Sequence, residues 1–212
     1  MKMNSKPTYI SLFSSAGIGC YGFKLEGFDC IATNELIARR LEIQKFNNKC
    51  KYESGYICGD ITDDATKSAL YSQISFWRKN EGISRVDVVI ATPPCQGMSV
   101  ANHKKNENEI IRNSLVVESI KIIKQVNPRF FIFENVPGIL SAKPGDRPII
   151  EIIRESFDKA GYCLLPNLND AIIDFTEYGV PQNRKRIIIF GVNKNVFAAN
   201  AQRVVEEFYK DI

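Results

Sequence analysis

The sequence lacks the features that would mark a membrane protein, a secreted protein or a zinc protein. No apolar run approaches the roughly 20 residues that a helix needs to span a bilayer. Ser and Thr interrupt the apolar positions near the N-terminus, which makes that segment a poor signal peptide. None of the six cysteines forms a Cys-x-x-Cys pair, so neither a zinc site nor a redox pair is indicated. We therefore expect a cytoplasmic protein with no metal, no disulfide and no membrane partner.

A strong net charge is also missing, as are internal repeats and low-complexity segments. The 212 residues include 28 Lys and Arg against 24 Asp and Glu, a net charge of +4 that permits a nucleic-acid partner without requiring one. The composition, 44% apolar and 25% charged, excludes a mainly disordered chain. At about 150 residues per domain, residues 1–212 are expected to form a single domain.

Short β-type runs alternate with helical patterns along the chain. The predicted strands are Tyr9–Phe13, Cys30–Asn34, Tyr56–Cys58, Val86–Ala91, Arg129–Phe133, Leu164–Leu168, Ala171–Phe175 and Ile187–Val192. The predicted helices are Glu35–Phe46, Asp63–Lys79, 111–126 and 149–160, and Gly161 is expected to end the last of them. This alternation predicts an α/β fold with a doubly wound, mainly parallel sheet, in which ligands bind at the carboxyl ends of the strands.

A turn of small residues, in the string LFSSAGIGCYGF, follows the first predicted strand. Such a turn lets backbone amides approach a cofactor closely. Glu35, at the end of the second strand, has the spacing of an acidic residue that contacts a ribose. Asp60 follows the third strand and could either accept a hydrogen bond from an exocyclic amine or cap the next helix. A tight turn without a ligand remains the alternative reading of this segment.

The string ATPPCQGMS places Cys95 directly after a buried strand and two prolines. Because the prolines restrict the backbone, they would present the thiol at the carboxyl edge of the sheet. A catalytic thiol needs an electropositive setting, since a free thiol is only a few per cent ionised near neutral pH. The alternative, one more buried cysteine, fits Cys95 poorly because it lies beyond the apolar run. The other five cysteines are expected to be buried.

Two further strings carry polar side chains at strand ends. FENVPG places Glu134 and Asn135 after a strand, and an apolar setting there would favour the neutral form of the carboxyl, which could donate a proton. The alternative role for Glu134 is to cap the following segment. YGVPQNRKRIIIFG places Arg184 and Arg186 at alternate positions where the last strand begins. Alone, this basic cluster would be read as solvated charge before an edge strand.

Taken together, the four strings resemble the cytosine-5 DNA methyltransferases, in that family's order and from Leu12 to Gly191. The resemblance implies a Rossmann-like fold that binds S-adenosylmethionine, and double-stranded DNA as substrate. Its cofactor-binding residues correspond to Phe13, Ser15, Ala16, Gly17, Ile18, Gly19, Glu35, Leu36, Asp60, Ile61, Pro93 and Leu115. For Leu115 a place in the core is at least as good an interpretation. Ser15 and Ile18 stand where the family commonly has glycine.

The resemblance also implies a role for each catalytic candidate. Cys95 would add to carbon 6 of a flipped cytosine, so that carbon 5 can attack the methyl group. Glu134 would donate a proton to ring nitrogen 3, and Asn135 would hold the local backbone. Arg186, with Arg184, would bind the ring carbonyl or assist Glu134.

The family's target-recognition region and final helix have no counterpart in the residues after Val192. The resemblance therefore implies one subunit of a split enzyme, or a truncated product of one. Its first helix would expose an apolar face, and a second polypeptide would cover that face and read the DNA sequence. The alternatives are the same reaction on RNA, a catalytically inactive cofactor-binding remnant, and an unrelated dinucleotide-dependent oxidoreductase. A restriction–modification system is the biological setting that the family implies.

Overall fold

The computed structural model describes residues 6–94, 107–143 and 147–212, with the backbone alone over 107–114. These residues form two compact units. Unit 1 consists of residues 1–91 and 126–129, and unit 2 of residues 92–125 and 130–212.

Unit 1 contains four parallel strands in the order β3, β2, β1, β4. They are β1 (Thr8–Leu12), β2 (Asp29–Glu35), β3 (Tyr56–Cys58) and β4 (Val88–Ala91). All five residues of β1 are buried, as a central strand between two parallel neighbours requires. The predicted parallel sheet is therefore confirmed within this unit.

Buried polar residues of the central strand have defined partners. The backbone N–H and Oγ1 of Thr8 donate to Asp87 Oδ2 at 2.8 and 3.0 Å. The other oxygen of Asp87 lies 2.9 Å from Arg129 Nε. These bonds offset the cost of removing polar groups from water, so β1 can lie in the middle of the sheet.

Three helices accompany these strands: α1 (Tyr21–Leu25), α2 (Ala38–Phe46) and α3 (Asp64–Asn80). Helices α2 and α3 pack on β2 and β3, and α3 turns Leu70, Ile74 and Trp77 inward at helical spacing. Helix α2 begins at Ala38, three residues later than predicted. The reason is that Glu35 still belongs to β2, and Ile37 has an extended backbone and donates its N–H to the Glu35 carboxylate.

Unit 2 is built around one long strand, β8 (Lys185–Asn193). It pairs antiparallel with β5 (Phe130–Asn135), β6 (Tyr162–Cys163) and β7 (Ile172–Asp174). The helices of this unit are α4 (Glu107–Val126), whose last residue belongs to unit 1, α5 (Ile149–Lys159), α6 (Lys194–Phe197) and α7 (Ala201–Asp211). Gly161 follows α5 with a φ of 83°, as expected of a residue that ends a helix.

Helix α7 covers β8 with an aromatic and aliphatic cluster. Val205 of α7 is fully buried, and the ring of Phe208 stacks on that of Phe190 with centroids 4.1 Å apart. On the neighbouring strand β5, Phe131 lies over Gly191, where an added Cβ would be 2.0 Å from the ring. Glycine is therefore the residue that lets this aromatic ring cross the strand.

Two expectations are wrong in detail. Leu164–Leu168 is not a strand: β6 ends at Cys163, and Pro166 has no N–H to donate to a sheet. Of the five other cysteines, Cys58 is exposed and Cys163 is half-buried, because short edge strands leave alternate side chains uncovered. Among the described residues, no helix is both long and apolar enough to cross a membrane.

Candidate active site

The segment after β1, residues 13–17, which we call the β1 loop, has an unusual backbone. Phe13, Ser15 and Gly17 have φ values of 55°, 49° and 85°. A positive φ is easy for glycine and costs about 1 kcal/mol or more for other residues. Strain of this kind persists where the surrounding structure enforces it, and it concentrates at binding sites. The sequence-based interpretation of this loop as a functional turn stays a prediction.

Glu35, the predicted ribose contact, is buried at the carboxyl end of β2. Its Oε2 accepts the backbone N–H of Ser15 at 2.7 Å. Its Oε1 accepts the N–H of Ile37 at 3.0 Å and pairs with Arg40 at 3.2 Å. Charge-assisted bonds of this kind hold a carboxylate in one orientation. Glu35 is thus fixed beside the β1 loop.

Two buried amide side chains hold the same region and were not predicted. Gln44 Nε2 donates to Ser14 Oγ at 2.8 Å and to the carbonyl oxygen of Ser15 at 2.5 Å. Asn34 Nδ2 donates to the carbonyl oxygens of Ile57 and Gly59. The available signal for Gln44 was its position three residues after Leu41 on the buried face of α2.

Asp60, Ile61 and Leu36 differ in their surroundings. Asp60 Oδ1 accepts both the N–H and the hydroxyl of Thr62 at 2.8 Å, so this oxygen is used locally before α3 begins. Ile61 is buried, whereas Leu36 is exposed next to Glu35. An exposed leucine directly after a buried strand is available to contact a flat apolar group.

A cavity of about 450 Å³ opens in unit 1 beside the β1 loop. Its lining includes Ala16, Gly17 and Ile18, together with Tyr21, Lys24 and Lys49. Gly19 lies in the short 3-10 turn Ile18–Cys20, and an added Cβ would meet nothing there within 4 Å. Part of the predicted cofactor set therefore borders a sizeable concave surface.

Unit 2 brings two of the predicted catalytic residues together. Arg186 Nε lies 3.0 Å from Glu134 Oε1, and both side chains are half-buried. The antiparallel register explains this contact: Glu134 faces Ile188, so Arg186, two residues earlier on the same face of β8, lies diagonally across from it. Arg184 precedes β8 and instead places its guanidinium 5.9 Å from the centre of the Phe175 ring.

Asn135 is buried next to Glu134 and contacts the proline segment. Its Nδ2 donates to the carbonyl oxygen of Pro93 at 3.4 Å, and its Oδ1 accepts the N–H of Val136. Pro93 itself is buried, and Leu115 is half-buried on α4. Cys95, two residues after Pro93, lies outside the described residues.

The likeness to solved structures gives the fold. A crystal structure of an E. coli DNA modification methyltransferase encoded within a prophage aligns with a TM-score of 0.65 and 24% identity. The alignment covers 90% of this chain and 48% of that chain. The predicted Rossmann-like methyltransferase fold is thus confirmed.

Known sequences similar to this chain include Type II methyltransferases of bacteria. M.Bpa9945I, a Type II methyltransferase of Bacillus paralicheniformis, is 34% identical over 170 residues, covering 76% of this chain and 36% of the relative. M.DdeI, a Type II methyltransferase of Desulfomicrobium norvegicum, is 34% identical over 189 residues, covering 88% and 40%. The chain therefore spans about two fifths of the length of these relatives.

The match extends over both units, beginning in β1 and ending at the last residue of α7. The family model of the C-5 cytosine-specific DNA methylases fits residues 8–211. Because that range covers nearly the whole chain, the chain belongs to the C-5 cytosine-specific DNA methylases.

Proposed function

We propose that this chain transfers a methyl group to carbon 5 of cytosine in duplex DNA, as the catalytic part of a DNA methyltransferase. The observation that carries the proposal is the Glu134–Arg186 ion pair in unit 2. Separate stretches of sequence supply its two members, and the neighbouring Asn135 holds the backbone two residues before Cys95. The Type II relatives favour a restriction–modification setting.

The residues of unit 1 fit S-adenosylmethionine by their chemistry. Glu35 offers a fixed carboxylate to ribose hydroxyls, and the exposed Leu36 offers an apolar contact to a base. Gly17 lets the loop backbone pack closely against Gln44, since an added Cβ would lie 3.0 Å from Gln44 Cγ. When bound, S-adenosylmethionine supplies an electrophilic methyl group on sulfur. Asp60 contributes the carboxylate oxygen that Thr62 does not use.

The residues of unit 2 act on the cytosine. Cys95, as a thiolate, forms a bond from its sulfur to carbon 6, while the Glu134 carboxyl gives a proton to nitrogen 3. Arg186 keeps Glu134 in place and has N–H groups left for the ring carbonyl. After carbon 5 has gained the methyl group it loses its proton to water, and the bond to Cys95 breaks to release the thiolate. The proton on nitrogen 3 returns to Glu134, which restores the aromatic ring. Chemistry on a stacked base also requires that the cytosine be flipped out of the duplex.

A second polypeptide completes this enzyme in our proposal. Ile18 and Leu25, on the first helical segment of unit 1, are 82% and 69% exposed, and Phe46 at the end of α2 is 87% exposed. Large apolar side chains that form one exposed patch are typical of a surface that another protein covers, and we propose that these three belong to such a patch. The second polypeptide would also read the DNA sequence, because contacts from residues such as Lys185 to phosphates set affinity and not sequence.

Labelled methyl transfer from S-adenosylmethionine to duplex DNA tests the proposed reaction. The chain is assayed alone and with lysate of its source cells, beside a Cys95→Ser variant. We expect transfer only with lysate, and none by the variant. Full activity of the chain alone would contradict the need for a second polypeptide. Methyl transfer to RNA and not to DNA would show that RNA, and not duplex DNA, is the substrate.

A duplex containing 5-fluorocytosine tests the covalent step. Fluorine at carbon 5 cannot leave as a proton, so the bond between Cys95 and carbon 6 would persist. With S-adenosylmethionine and lysate present, we expect a protein–DNA band that survives denaturation with the native chain and is absent with Cys95→Ser. Active enzyme that leaves no such band would rule out the covalent route.

A further inference from the structure

We propose that Gln44 is a positioning residue for the cofactor: it sets the direction of Ser15 in the β1 loop, and through Ser15 the orientation of Glu35. This inference rests on the proposed function, because it assigns a task to Gln44 in binding S-adenosylmethionine. Gln44 is 1% exposed, and its amide lies between the β1 loop and strand β2.

A directional chain of hydrogen bonds fixes which way the Gln44 amide points. Lys49 Nζ donates to Thr33 Oγ1 at 3.0 Å, and a lysine ammonium can only donate. The Thr33 hydroxyl therefore gives its own hydrogen to Gln44 Oε1, at 2.7 Å. With Oε1 committed in this way, the NH₂ group of Gln44 must face the β1 loop.

The NH₂ group of Gln44 meets two acceptors in the loop. One is Ser14 Oγ, whose hydrogen goes to the carbonyl oxygen of Asn34 at 3.0 Å. The other is the carbonyl oxygen of Ser15, at 2.5 Å. Both hydrogens of the amide are thus donated to acceptors within one loop. A carboxylate in place of this amide would put a negatively charged oxygen against the carbonyl oxygen of Ser15, and the two oxygens would repel each other.

Ser15 is consequently held on both of its peptide groups. Gln44 holds its carbonyl oxygen, and Glu35 Oε2 accepts its N–H at 2.7 Å. These two bonds account for how a non-glycine residue remains at a φ of 49° at an exposed position. Release of the carbonyl oxygen would let Ser15 relax towards negative φ and turn its N–H away from Glu35. The carboxylate would then lose the bond that orients Oε2.

A merely structural role for Gln44 would lower stability without regard to the ligand. A positioning role predicts a loss that depends on the ribose hydroxyls, because Glu35 is the group affected. The ligand pair that separates the two roles is S-adenosylhomocysteine and its analogue without the ribose 2′ and 3′ hydroxyls.

The test compares three variants of the full chain by calorimetric titration with both ligands. Gln44→Met keeps the length of the side chain but removes its hydrogen bonds, and we expect about tenfold weaker binding of S-adenosylhomocysteine, as for one lost hydrogen bond. Thr33→Val, which removes the hydroxyl that orients the amide, should weaken it about threefold. Neither variant should change the affinity for the dideoxy analogue.

Gln73→Met is the matched control. Gln73 is also buried on a helix of unit 1, and its Nε2 has no hydrogen-bond partner among the described residues, so its loss should leave both affinities unchanged. Equal losses on both ligands with Gln44→Met, or no loss, would overturn the positioning role. Failure of the native chain to bind S-adenosylhomocysteine would contradict the proposed function itself. In that case hydrogen exchange at the Ser15 amide still decides whether Gln44 holds the loop, since the exchange should be faster in Gln44→Met.

Discussion

At the scale of single residues, the structure separates the two arginines that the sequence treats alike. Arg186 pairs with Glu134 across two strands, whereas Arg184 lies over the ring of Phe175. A carboxyl that must deliver a proton to one atom depends on groups that fix its position, so the two arginines should differ in their effect on the rate.

We expect Arg186→Gln to lower the rate of methyl transfer about 100-fold and Arg184→Gln to lower it less than about fivefold. Neither change should alter the affinity for S-adenosylhomocysteine, since neither arginine is among the predicted cofactor-binding residues and each has its contact elsewhere, with Glu134 or Phe175. Single-turnover methylation by the completed enzyme measures the rates. Equal losses in the two variants would show that Arg184 is also in contact with the reacting base.

Ser15 is a second position where a single residue should affect a measurable property, here the free energy of unfolding. Its left-handed backbone is strained, and glycine, which the family commonly has there, removes that strain. Ser15→Gly should raise the free energy of unfolding by about 0.5 kcal/mol, because relief of strain is partly offset by the greater freedom of glycine in the unfolded chain.

Ser14→Gly is the control for this change. The Ser14 hydroxyl is buried between Gln44 and the carbonyl of Asn34. We therefore expect Ser14→Gly to lower the free energy of unfolding, measured in urea, by about 1–2 kcal/mol. If both glycine variants lost stability equally, the strain assigned to Ser15 would be wrong.

At the scale of elements, helix α7 completes the edge of β8. Strand β7 pairs with β8 up to Ile187 and β6 pairs with it from Val192, which leaves a gap in the pairing between them. The Tyr209 hydroxyl enters this gap: it accepts the N–H of Phe190 at 2.9 Å and donates to the carbonyl oxygen of Ile188 at 2.6 Å. One side chain thereby satisfies two backbone groups of a strand.

Tyr209→Phe should lower the free energy of unfolding by about 1–3 kcal/mol, because it leaves both backbone groups without this partner. Burial raises the pKa of Tyr209 to about 12, from 10.0 in an exposed tyrosine. The folded chain therefore keeps a proton that the unfolded chain has lost, and the stability from this group, present below pH 10, is lost as the pH rises through 12.

Urea unfolding at intervals from pH 8 to about pH 12 checks the assignment by the difference between native chain and variant. That difference should shrink with rising pH, because only the native chain has the Tyr209 hydroxyl to lose its proton. Other buried tyrosines titrate equally in both proteins and cancel in the difference. A difference that stays constant would mean that the hydroxyl is not buried as described.

At the scale of the whole molecule, exposed apolar residues should determine whether the chain self-associates when no second polypeptide is present. Leu25 and Phe46 project from unit 1 and contribute little to its core. We expect Leu25→Ser combined with Phe46→Ser to change the free energy of unfolding by less than about 0.5 kcal/mol. The same double variant should self-associate less and lose the stimulation of methyl transfer by the second polypeptide.

Val117→Ser provides the comparison, since this residue is also a partly exposed aliphatic side chain but belongs to unit 2. It should leave the stimulation intact. Sedimentation of the chain alone and methyl transfer in the presence of lysate are the two measurements. Undiminished stimulation in the double variant would place the contact of the second polypeptide elsewhere.

Much of the architecture was predictable because strand ends carry signals that are local in sequence. The apolar runs of β1 and β4 and the spacing of Val116, Ile120 and Ile123 on α4 predicted elements that the structure contains. Boundaries were less predictable: β2 extends to Glu35 because a long-range bond to Ser15 holds that residue in the strand. Patterns of local sequence do not show such a bond, because it joins residues that are far apart in the chain.

The sequence by itself indicated the family, the order of the main strands and helices from β1 to α5, and the residue types at the strand ends, since each depends on short strings with their own backbone and chemical requirements. It did not indicate α7, which follows β8. Only the tertiary structure decided which of those residues meet. It joined Arg186 and not Arg184 to Glu134, used one oxygen of Asp60 locally, and brought Gln44 to the β1 loop. The physical reason is that hydrogen bonds and ion pairs act over about 3 Å, a separation that strand register and helix packing set between residues distant in the chain.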